Sequence, residues 1–430
     1  MYAFVNGIIL DGTENMEPQS GKAVLIDGKQ IKAICDPEQL PTDCERIDLK
    51  GAFLLPGLIN MHVHLAGNGK PQKKQRDNEK LVKTIFSNPV SAAVAEKLVA
   101  HYAKLELLSG VTTIRTVGGL KDLDTKVRDK IAQGKLLGPR ILAANEGISV
   151  PHGHMAGSVA RTCHNKEEAL DQVMHLWAQK ADLIKLMITG GVMDAKVKGE
   201  PGEMKMEPEM IEAVCEEAHR LGFKVAAHVE SPEGVRTALR CGVDSIEHGA
   251  APDEEIISLF KEKKAFLITT LSPAIPYAFF DRKISNASEV EQYNGQVVFE
   301  GIRDCSKAAL ANGIPVGLGN DVGCPWISQY DFWRELYWFE KYVGVSARFA
   351  LYTATLRNAQ LAGIDQITGS VEEGKEADLL IVENDPLQDL TALKQPKYVV
   401  ARGRLIKDPS YKRRADVEEE LGKVMRAEKA

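Results

Sequence analysis

From about residue 52 onward, short apolar runs alternate with amphipathic runs along the chain. The apolar runs are continuous rather than alternating with polar residues, which is typical of parallel strands buried on both faces. They predict eight strands: Phe53–His64, Val111–Val117, Arg140–Ser149, Leu183–Thr189, Lys224–Val229, Ser245–His248, Phe266–Leu271 and Pro315–Leu318. Eight strand-then-helix units in a row predict an α/β fold, the (β/α)₈ TIM barrel. In that barrel the active site lies at the C-terminal ends of the strands.

The amphipathic runs between these strands carry helix start and stop signals. Asn165 and Glu168 have the spacing of a capping box ahead of the predicted Ala169–Ala181 helix. Ser231 followed by Pro232 is typical of an N-cap and the first helical residue. These signals support a helix after each strand, as the barrel requires.

The two ends of the chain have a different pattern, with short strands separated by turns. The strand candidates there are Ala3–Leu10, Lys22–Ile26, Ile31–Cys35, Asp378–Glu383 and Tyr398–Ile406. Neither end has enough strands for a stable sheet alone, so we expect the two ends to combine. The sequence therefore predicts a small composite β-sandwich from residues 1–51 and 364–410, a barrel over residues 52–363, and a charged helical tail over residues 411–430.

Composition and charge exclude several classes of protein. The 430 residues are 44% hydrophobic and carry a net charge of −6, without the basic excess of a nucleic-acid-binding protein. The N-terminus lacks a basic segment ahead of its apolar run, and the longest uncharged stretch, Gly51–Gly69, contains histidines, Asn60 and Pro56. Seven cysteines, an odd number without CxxC spacing, indicate reduced thiols. We therefore expect a cytoplasmic protein with neither a nucleic-acid partner nor a membrane partner.

Six residues able to contribute to a metal site fall in or directly after the predicted barrel strands. They are His62 and His64 at the end of the first strand, Lys185 within the fourth, His228 at the end of the fifth, His248 at the end of the sixth, and Asp321 directly after the eighth. Residues i and i+2 of a strand point to the same face, so the first two imidazoles can converge on one ion. Each residue alone has a structural alternative, such as a core histidine or an Asx turn. Their coincidence in one barrel favours a metal centre.

A lysine among imidazoles needs a physical explanation, because an ammonium group would repel a cation. Burial lowers the pKa of a lysine by favouring its neutral form. A neutral amine can react with carbon dioxide to form a carbamate, an anionic ligand with two oxygens. We expect carboxylated Lys185 to bridge two divalent ions, one held by His62, His64 and Asp321 and the other by His228 and His248. Two bridged ions would lower the pKa of a shared water and provide hydroxide at neutral pH.

Taken together, these motifs resemble the amidohydrolase superfamily in its two-metal subtype with a carboxylated lysine. The resemblance covers nearly the whole chain. It rests on the segment PGLINMHVH, the lysine of the fourth strand, the two later histidines and the turn GLGND, which occur in the family's order. Within the superfamily, the segments DLIKLMITGGV, GVDSIEHG and GISVPHGHMAG are most similar to the prolidase-like and Xaa-Arg dipeptidase group, which is related to imidazolonepropionase.

The third-strand region also implies substrate-binding residues. Relatives tend to have a Thr-Gly-Gly-His-Gly run there, and a gapless match places His154 on the family histidine. His152 lies two residues earlier and is expected to face the same way, so both are predicted to bind substrate or polarise its carbonyl group. Relatives usually have Thr before the catalytic aspartate, where this chain has Asn320. These departures affect the expected substrate rather than the metal chemistry.

The resemblance implies a metal-dependent hydrolase that cleaves the amide bond of a dipeptide or an N-acyl amino acid. A metal-bridging hydroxide would attack the carbonyl carbon, and Asp321, as ligand and general base, would pass the proton to the departing amine. Zinc is the expected metal, although imidazole and carboxylate sites also accept manganese, iron or cobalt. The alternatives are a cyclic amidase, lactonase or deaminase acting on a small ring. A non-catalytic scaffold is the remote alternative, because none of the six residues is missing.

Three further features have structural interpretations. Cys324 is expected to be a packing residue rather than a nucleophile. The basic cluster within residues 70–76 is interpreted as a solvated loop that could attract an acidic group. The aromatic-rich stretch Trp326–Phe339 is interpreted as core or as a subunit contact, and we expect a homo-oligomer.

Overall fold

The computed structural model describes residues 1–71 and 77–427. Most of the basic cluster within residues 70–76 therefore lies outside the described residues. The chain begins with strands of a small β-domain: β1 (Tyr2–Val5), β2 (Ile8–Ile9), β3 (Ala23–Asp27), β4 (Gln30–Cys35), β5 (Glu45–Asp48) and β6 (Phe53–Pro56).

The central part of the chain forms the barrel strands. These are β7 (Leu58–Val63), β8 (Val111–Thr116), β9 (Arg140–Leu142), β10 (Gly147–Ser149), β11 (Ala160–Thr162), β12 (Leu183–Met187), β13 (Lys224–Val229), β14 (Ser245–His248), β15 (Phe266–Thr269) and β16 (Val316–Leu318). They pair in parallel in two arcs, β7-β8-β9 and β11-β10-β12-β13-β14-β15-β16. Most of their residues are buried, because helices cover the outside of the barrel. The predicted TIM barrel is confirmed.

The side chain of Asn358 helps to join the first and last barrel strands. The Oδ1 atom of Asn358 accepts the N–H of Leu318, and its Nδ2 donates to the carbonyl oxygens of Ile59 and Leu318 at 2.7 and 2.8 Å. Further along, the N–H of Asp321 donates to the carbonyl oxygen of His62 at 3.0 Å. This seam places the end of β7 beside the residues that follow β16.

Helices alternate with the barrel strands and continue beyond them. They are α1 (Asn78–Ile85), α2 (Pro89–Leu108), α3 (Leu123–Ala132), α4 (Lys166–Ala178), α5 (Pro208–Arg220), α6 (Pro232–Arg240), α7 (Glu254–Lys263), α8 (Ile275–Phe279), α9 (Arg282–Ser285), α10 (Glu289–Ala311), α11 (Phe332–Trp338), α12 (Ala347–Tyr352), α13 (Asn358–Leu361) and α14 (Ala415–Arg426). Short 3₁₀ turns lie at Pro37–Gln39, Ser272–Ala274 and Leu390–Lys394, and π-helical turns at Phe339–Val343 and Thr353–Arg357. The predicted caps form, with Asn165 accepting the N–H of Glu168 and Ser231 that of Gly234. None of these helices is both long and apolar enough to cross a lipid bilayer.

The C-terminal strands β17 (Leu379–Val382), β18 (Tyr398–Ala401) and β19 (Arg404–Ile406) complete the β-domain. One sheet has the order β4-β3-β1-β5 and the other β19-β18-β17-β6-β2. Antiparallel pairing of β6 with β17 ties the two ends of the chain together. Apolar side chains such as Phe4, Leu54 and Ile381 are buried in one cluster of this domain. The predicted β-sandwich built from both termini is confirmed.

Two predicted strands are wrong in the same way, because each divides between two sheets. The run Phe53–His64 is β6 in the sandwich and β7 in the barrel, so the sandwich extends past the predicted boundary at residue 51. Gly57 lies at the crossing, where a Cβ would stand 2.2 Å from Oγ1 of Thr112. The run Arg140–Ser149 divides into β9 and β10, with Asn145 at a φ of 58° between them. Hydrophobicity cannot show such divisions when the residues on both sides are buried.

The C-terminal segment packs against the aromatic-rich stretch. Most aromatic side chains of Trp326–Phe339 are buried within the chain, so the core interpretation fits and the stretch offers little surface to another subunit. The predicted charged tail contains α14, whose Val417, Leu421 and Val424 are buried. The hydroxyl of Tyr337 donates to the carbonyl oxygen of Met425 at 2.9 Å.

Candidate metal centre

All six predicted metal-site residues line one cavity at the C-terminal ends of the barrel strands. They are His62 and His64 from β7 and the residue after it, Lys185 from β12, His228 from β13, His248 from β14, and Asp321 from the turn after β16. All six are buried. The barrel topology alone brings them together, because parallel strands end at the same rim.

The carboxylate of Asp321 lies between the two histidines of β7. Its Oδ1 is 3.4 Å from Nε2 of His62 and 3.2 Å from Nε2 of His64. Ligand atoms of His62, His248 and Asp321 all lie within 4.8 Å of one another, a spacing that brings all three to one metal centre. Both His248 and Asp321 adopt a positive φ, at 71° and 54°. Strained backbone of this kind clusters at functional sites.

Lys185 lies in the same cavity without a partner. Its side chain is buried, and Nζ has no hydrogen bond to any residue in the described ranges. Burial lowers the pKa of this amine to about 8, with Arg115 acting in the same direction and with Glu247 and Asp321 opposing it. A buried amine that is readily neutral and lacks a hydrogen-bond partner fits the requirement for carboxylation.

His228 and His248 form the other side of the centre. Their ring centroids are 4.7 Å apart. Nδ1 of His248 is 2.6 Å from the hydroxyl of Thr270, and Nε2 of His228 is 3.2 Å from the carbonyl oxygen of Gly190. Burial holds the pKa of both imidazoles well below the usual range. Both are therefore neutral, which is the form that binds metals.

A buried ion pair orients His62. Oε2 of Glu247 is 2.8 Å from Nδ1 of His62, and Nη2 of Arg115 donates to both oxygens of Glu247 at 2.7 and 2.8 Å. Burial would raise the pKa of Glu247, but Arg115 and His62 hold it well below its usual range. Metal-binding histidines commonly donate their second N–H to a carboxylate in this way. We did not predict this pair, although charged residues inside the apolar runs of β8 and β14 were a usable signal.

The two predicted substrate-binding histidines have different positions. His154 lines the cavity and stacks on His228, with ring centroids 4.0 Å apart and planes 5° apart. His152 is exposed, and its φ of 62° places it in a turn away from the residues that line the cavity. The expectation that His152 faces the cavity beside His154 is wrong, because β10 ends at Ser149 and strand alternation does not extend to residues 152 and 154. Substrate binding by His152 stays a prediction.

Glu230 is a site residue that we did not predict. It lines the cavity, and its ligand oxygen lies within 4.8 Å of ligand nitrogens of His228 and His248. Its carboxylate accepts the N–H of Val192 at 3.1 Å. Burial raises its pKa to about 8, and Asp321 and Asp194 act in the same direction. Its position two residues after His228 was the signal that could have identified it.

The remaining walls of the cavity are mostly apolar. They include Met155, Met187, Val192, Met193, Pro273, Ala274, Val298 and Pro325. A neighbouring recess shares Met155 and Met193 with the cavity. Its lining is mixed, with the apolar side chains of Leu81, Val82, Ile85 and Leu120 and the polar ones of Asn68, Lys70, Asn78 and Ser158. Cys324 also lines the cavity, and burial together with Asp321 raises the pKa of its thiol well above the usual range. That protonated state agrees with a packing role for Cys324.

Comparison with known proteins identifies the family. The sequence profile of the amidohydrolase family matches residues 53–406, and that of the NagA composite domain matches residues 1–54. The chain belongs to the amidohydrolase family. Members of this family generally use metal ions, and the donor set described above fits that requirement. The predicted family membership and hydrolysis of C–N bonds are confirmed.

Several relatives of this amidohydrolase share its full architecture. The crystal structure of a prolidase-like protein from Bifidobacterium longum is 34% identical, with a TM-score of 0.86 over 98% of both chains. That of a Xaa-Pro dipeptidase with methionine in its active site is 28% identical, with a TM-score of 0.81 over 94% of this chain and 99% of the other. Ochratoxinase from Aspergillus niger is 25% identical over 94% of this chain and 86% of its own length.

Proposed function

We propose that this amidohydrolase uses two divalent metal ions, preferentially zinc, to hydrolyse the amide bond of a small molecule, either a dipeptide or an N-acyl amino acid. The observation that carries the proposal is the buried, unpartnered amine of Lys185 in the same cavity as neutral imidazoles and a carboxylate. Carboxylation would convert this amine into a carbamate, an anionic ligand suited to a site with two cations. Imidazole and carboxylate donors together suit zinc.

The assignment of ligands follows the predicted one. One ion would be held by His62, His64 and Asp321, and the other by His228 and His248. Carboxylated Lys185 would be a ligand of both ions. When bound there, two such ions supply Lewis acidity, which lowers the pKa of water and polarises a carbonyl group.

The side chains of the protein perform the proton transfers and position the substrate. Asp321 accepts a proton from the attacking water and delivers it to the amine nitrogen as the C–N bond breaks. His154 is held through Nδ1 by Asp194, so its Nε2 remains available to a carbonyl or carboxylate oxygen of the substrate. Stacking on His228 keeps that imidazole at the metal centre.

The walls of the cavity and the relatives support the proposed substrate class. Met155 and Met193 line both the cavity and the neighbouring recess, whose apolar side chains Leu81, Val82, Ile85 and Leu120 provide a surface for an apolar side chain or acyl group. The Xaa-Pro dipeptidase structure holds an amino acid, methionine, in its active site. A small amide with an apolar substituent fits both observations.

A hydrolysis screen tests the proposal. Zinc-loaded protein is offered dipeptides and N-acyl amino acids, and the Asp321→Asn variant is measured beside the wild type. We expect cleavage by the wild type and a loss of at least about 1000-fold in the variant, since general acid–base catalysis contributes 10²–10⁴-fold and Asp321 is also a ligand. Asp304→Asn, a change at an exposed residue, is the matched control.

The outcomes separate the alternatives. Undiminished activity of Asp321→Asn would contradict the mechanism. If the protein binds two metals but cleaves no member of the library, the substrate is a cyclic amide, a lactone or a related ring. Cytoplasmic location and homo-oligomerisation stay predictions, to be checked by cell fractionation and by size-exclusion chromatography.

A further inference from the structure

Glu230 brings to the cavity a carboxylate without a basic partner. In the described part of the chain, the carboxylates that line the metal-centre cavity are those of Glu230 and Asp321. The contacts of Glu230 there are one hydrogen bond from the N–H of Val192 to Oε2, and its own N–H donates to the hydroxyl of Thr189 at 3.1 Å. Within residues 1–71 and 77–427, Glu230 forms no ion pair with a lysine or arginine. A carboxylate in such a position is suited to a cationic partner, because an ion pair offsets part of the desolvation of both groups.

Among the described residues, none of the nearby basic groups pairs with Glu230. The imidazole of His154 uses Nδ1 for Asp194, at 2.5 Å. The guanidinium of Arg115 is paired with Glu247. Lys185 forms no hydrogen bond with Glu230 or with any other described residue. The described residues therefore leave this carboxylate free to pair with a cationic group of a ligand.

Glu230 lies where the α-ammonium group of a bound dipeptide is expected. Its ligand oxygen lies within 4.8 Å of the ligand nitrogens of His228 and His248. In an unblocked dipeptide, the α-amine nitrogen is only two bonds from the carbon of the scissile amide. A substrate whose scissile carbonyl lies at these two histidines therefore brings its α-ammonium within reach of Glu230. An N-acyl amino acid with an aliphatic acyl chain has no charge at that point.

We propose that Glu230 binds the α-ammonium group of the residue on the acyl side of the scissile bond, so that the enzyme selects unblocked dipeptides over N-acyl amino acids. This inference rests on the proposed amide hydrolysis and makes its substrate class specific. An ammonium–carboxylate pair in a site shielded from water is a strong interaction, and a carboxylate left unpaired there is costly. The amine-free analogue is therefore rejected.

Matched substrates measure this selection. The alanyl dipeptides Ala-Leu, Ala-Met and Ala-Phe are compared with propionyl-Leu, propionyl-Met and propionyl-Phe, which differ only by replacement of the amine with hydrogen. We expect kcat/KM for each dipeptide to exceed that of its propionyl analogue by about 100-fold, as expected for a lost charge-assisted hydrogen bond. N-acetylation of the dipeptides should reduce kcat/KM to a similar extent.

Variants assign the selection to one residue. Glu230→Gln should lower kcat/KM for the dipeptides by about 100-fold and leave the propionyl compounds within about threefold, so the preference disappears. Glu230→Asp, which keeps the charge, should retain part of the preference. Glu233→Gln, at an exposed residue of α6, is the control for an acidic-to-amide change. Metal content by mass spectrometry and circular dichroism are measured for every variant.

Several results would overturn the inference. Propionyl compounds cleaved as well as dipeptides would contradict it while leaving the amide hydrolase intact. Loss of one metal ion in Glu230→Gln, with equal damage to both substrate series, would make Glu230 a metal ligand instead. Absence of cleavage in both series, with metals bound, would overturn the dipeptide class and with it this role of Glu230.

Discussion

Nδ1 of His154 lies 2.5 Å from Oδ2 of Asp194, which joins the loop after β10 to the loop after β12. The same oxygen of Asp194 accepts the N–H of Gly191 at 2.9 Å. Burial would raise the pKa of Asp194, but the bond to His154 and the charge of that imidazole lower it. An ionised carboxylate at this position accepts the N–H of Nδ1 and fixes the imidazole ring, so that Nε2 is left to donate to an oxygen of the substrate.

Replacing Asp194 tests whether this orientation matters. Asp194→Asn should lower kcat/KM by about 10- to 100-fold, the range found when the partner of a functional histidine is removed. The neutral amide removes the charge-assisted bond that orients the imidazole ring. Metal content should not change, because neither residue is among the proposed ligands. The measurements are steady-state kinetics and metal analysis.

A double-mutant cycle supplies the control. In a His154→Asn background, Asp194→Asn should have almost no further effect, because the two residues act as a unit. Additive losses in the double variant would show that Asp194 acts on something other than His154.

Carboxylation of Lys185 should be visible in metal uptake. Metal-free protein reconstituted with zinc in buffer depleted of carbon dioxide should bind less metal and regain less activity than protein reconstituted with bicarbonate. Lys185→Met should bind one ion fewer than the wild type, since the bridging ligand is gone. Native mass spectrometry checks both the metal count and the added mass of one carbon dioxide.

Lys375 provides the comparison for this modification. It is also a buried lysine, but its Nζ donates to the hydroxyl of Ser370 at 2.7 Å and pairs with Glu372. The added mass should therefore persist in Lys375→Met and be absent in Lys185→Met. Two bound ions on an unmodified Lys185 would contradict the two-metal proposal in its bridged form.

The Arg115–Glu247 pair should control metal affinity through His62. Glu247→Gln is expected to weaken metal binding by about 10- to 100-fold, because the imidazole loses the carboxylate that orients it. It should also lower the free energy of unfolding by about 3 kcal/mol, since the guanidinium of Arg115 is left buried without a counter-charge. Chelator competition measures the first effect and urea unfolding of the metal-free protein the second.

The two effects can be separated in a second variant. Adding Arg115→Met to Glu247→Gln should recover much of the stability, because both charges are then removed. Metal affinity should remain weak. Recovery of the affinity as well would show that Glu247 acts only by neutralising Arg115.

The hydrophobic pattern of the sequence predicts the site residues that lie at the ends of barrel strands. His62, His228 and His248 end parallel strands, and parallel strands of a barrel end at one rim. Turns are different, because their path depends on local backbone geometry that hydrophobic pattern does not encode. His152 was misplaced for that reason, and the contact between Asp194 and His154 was missed.

Residues that are buried and charged were harder to find. Arg115 and Glu247 lie within apolar runs of different strands. They form an ion pair with each other, and Glu247 also contacts His62. These contacts form only when the strands have closed into a barrel, so the local sequence does not indicate them. Glu230 follows the predicted ligand His228 by two residues, so the alternation applied to β7 would have identified it. The divided strand at Gly57 could not be seen in the pattern, because both of its halves are buried.

Asp124 in α3 should make stability depend on pH. Its side chain is buried, and no well-formed hydrogen bond reaches its carboxylate from the described residues, so that nearby Thr116 and His64 favour its charged form only partly. Burial raises its pKa to about 6, whereas an unfolded aspartate has a pKa of about 3.9. Below pH 4 the group is protonated in both states. Between pH 4 and 6 only the unfolded chain releases its proton, so this group lowers stability as the pH rises, by about 2 to 3 kcal/mol in total.

Replacing Asp124 with a neutral side chain should abolish that dependence. Raising the pH from 4.5 to 7.5 should therefore increase the stability of Asp124→Asn relative to that of the wild type by about 2 kcal/mol. Urea unfolding at the two pH values measures it. Asp129→Asn, at an exposed residue of the same helix, should show no such change. A difference that stays constant with pH would mean that Asp124 has the same pKa in the folded and unfolded chain, and that its carboxylate has found a partner that compensates for burial.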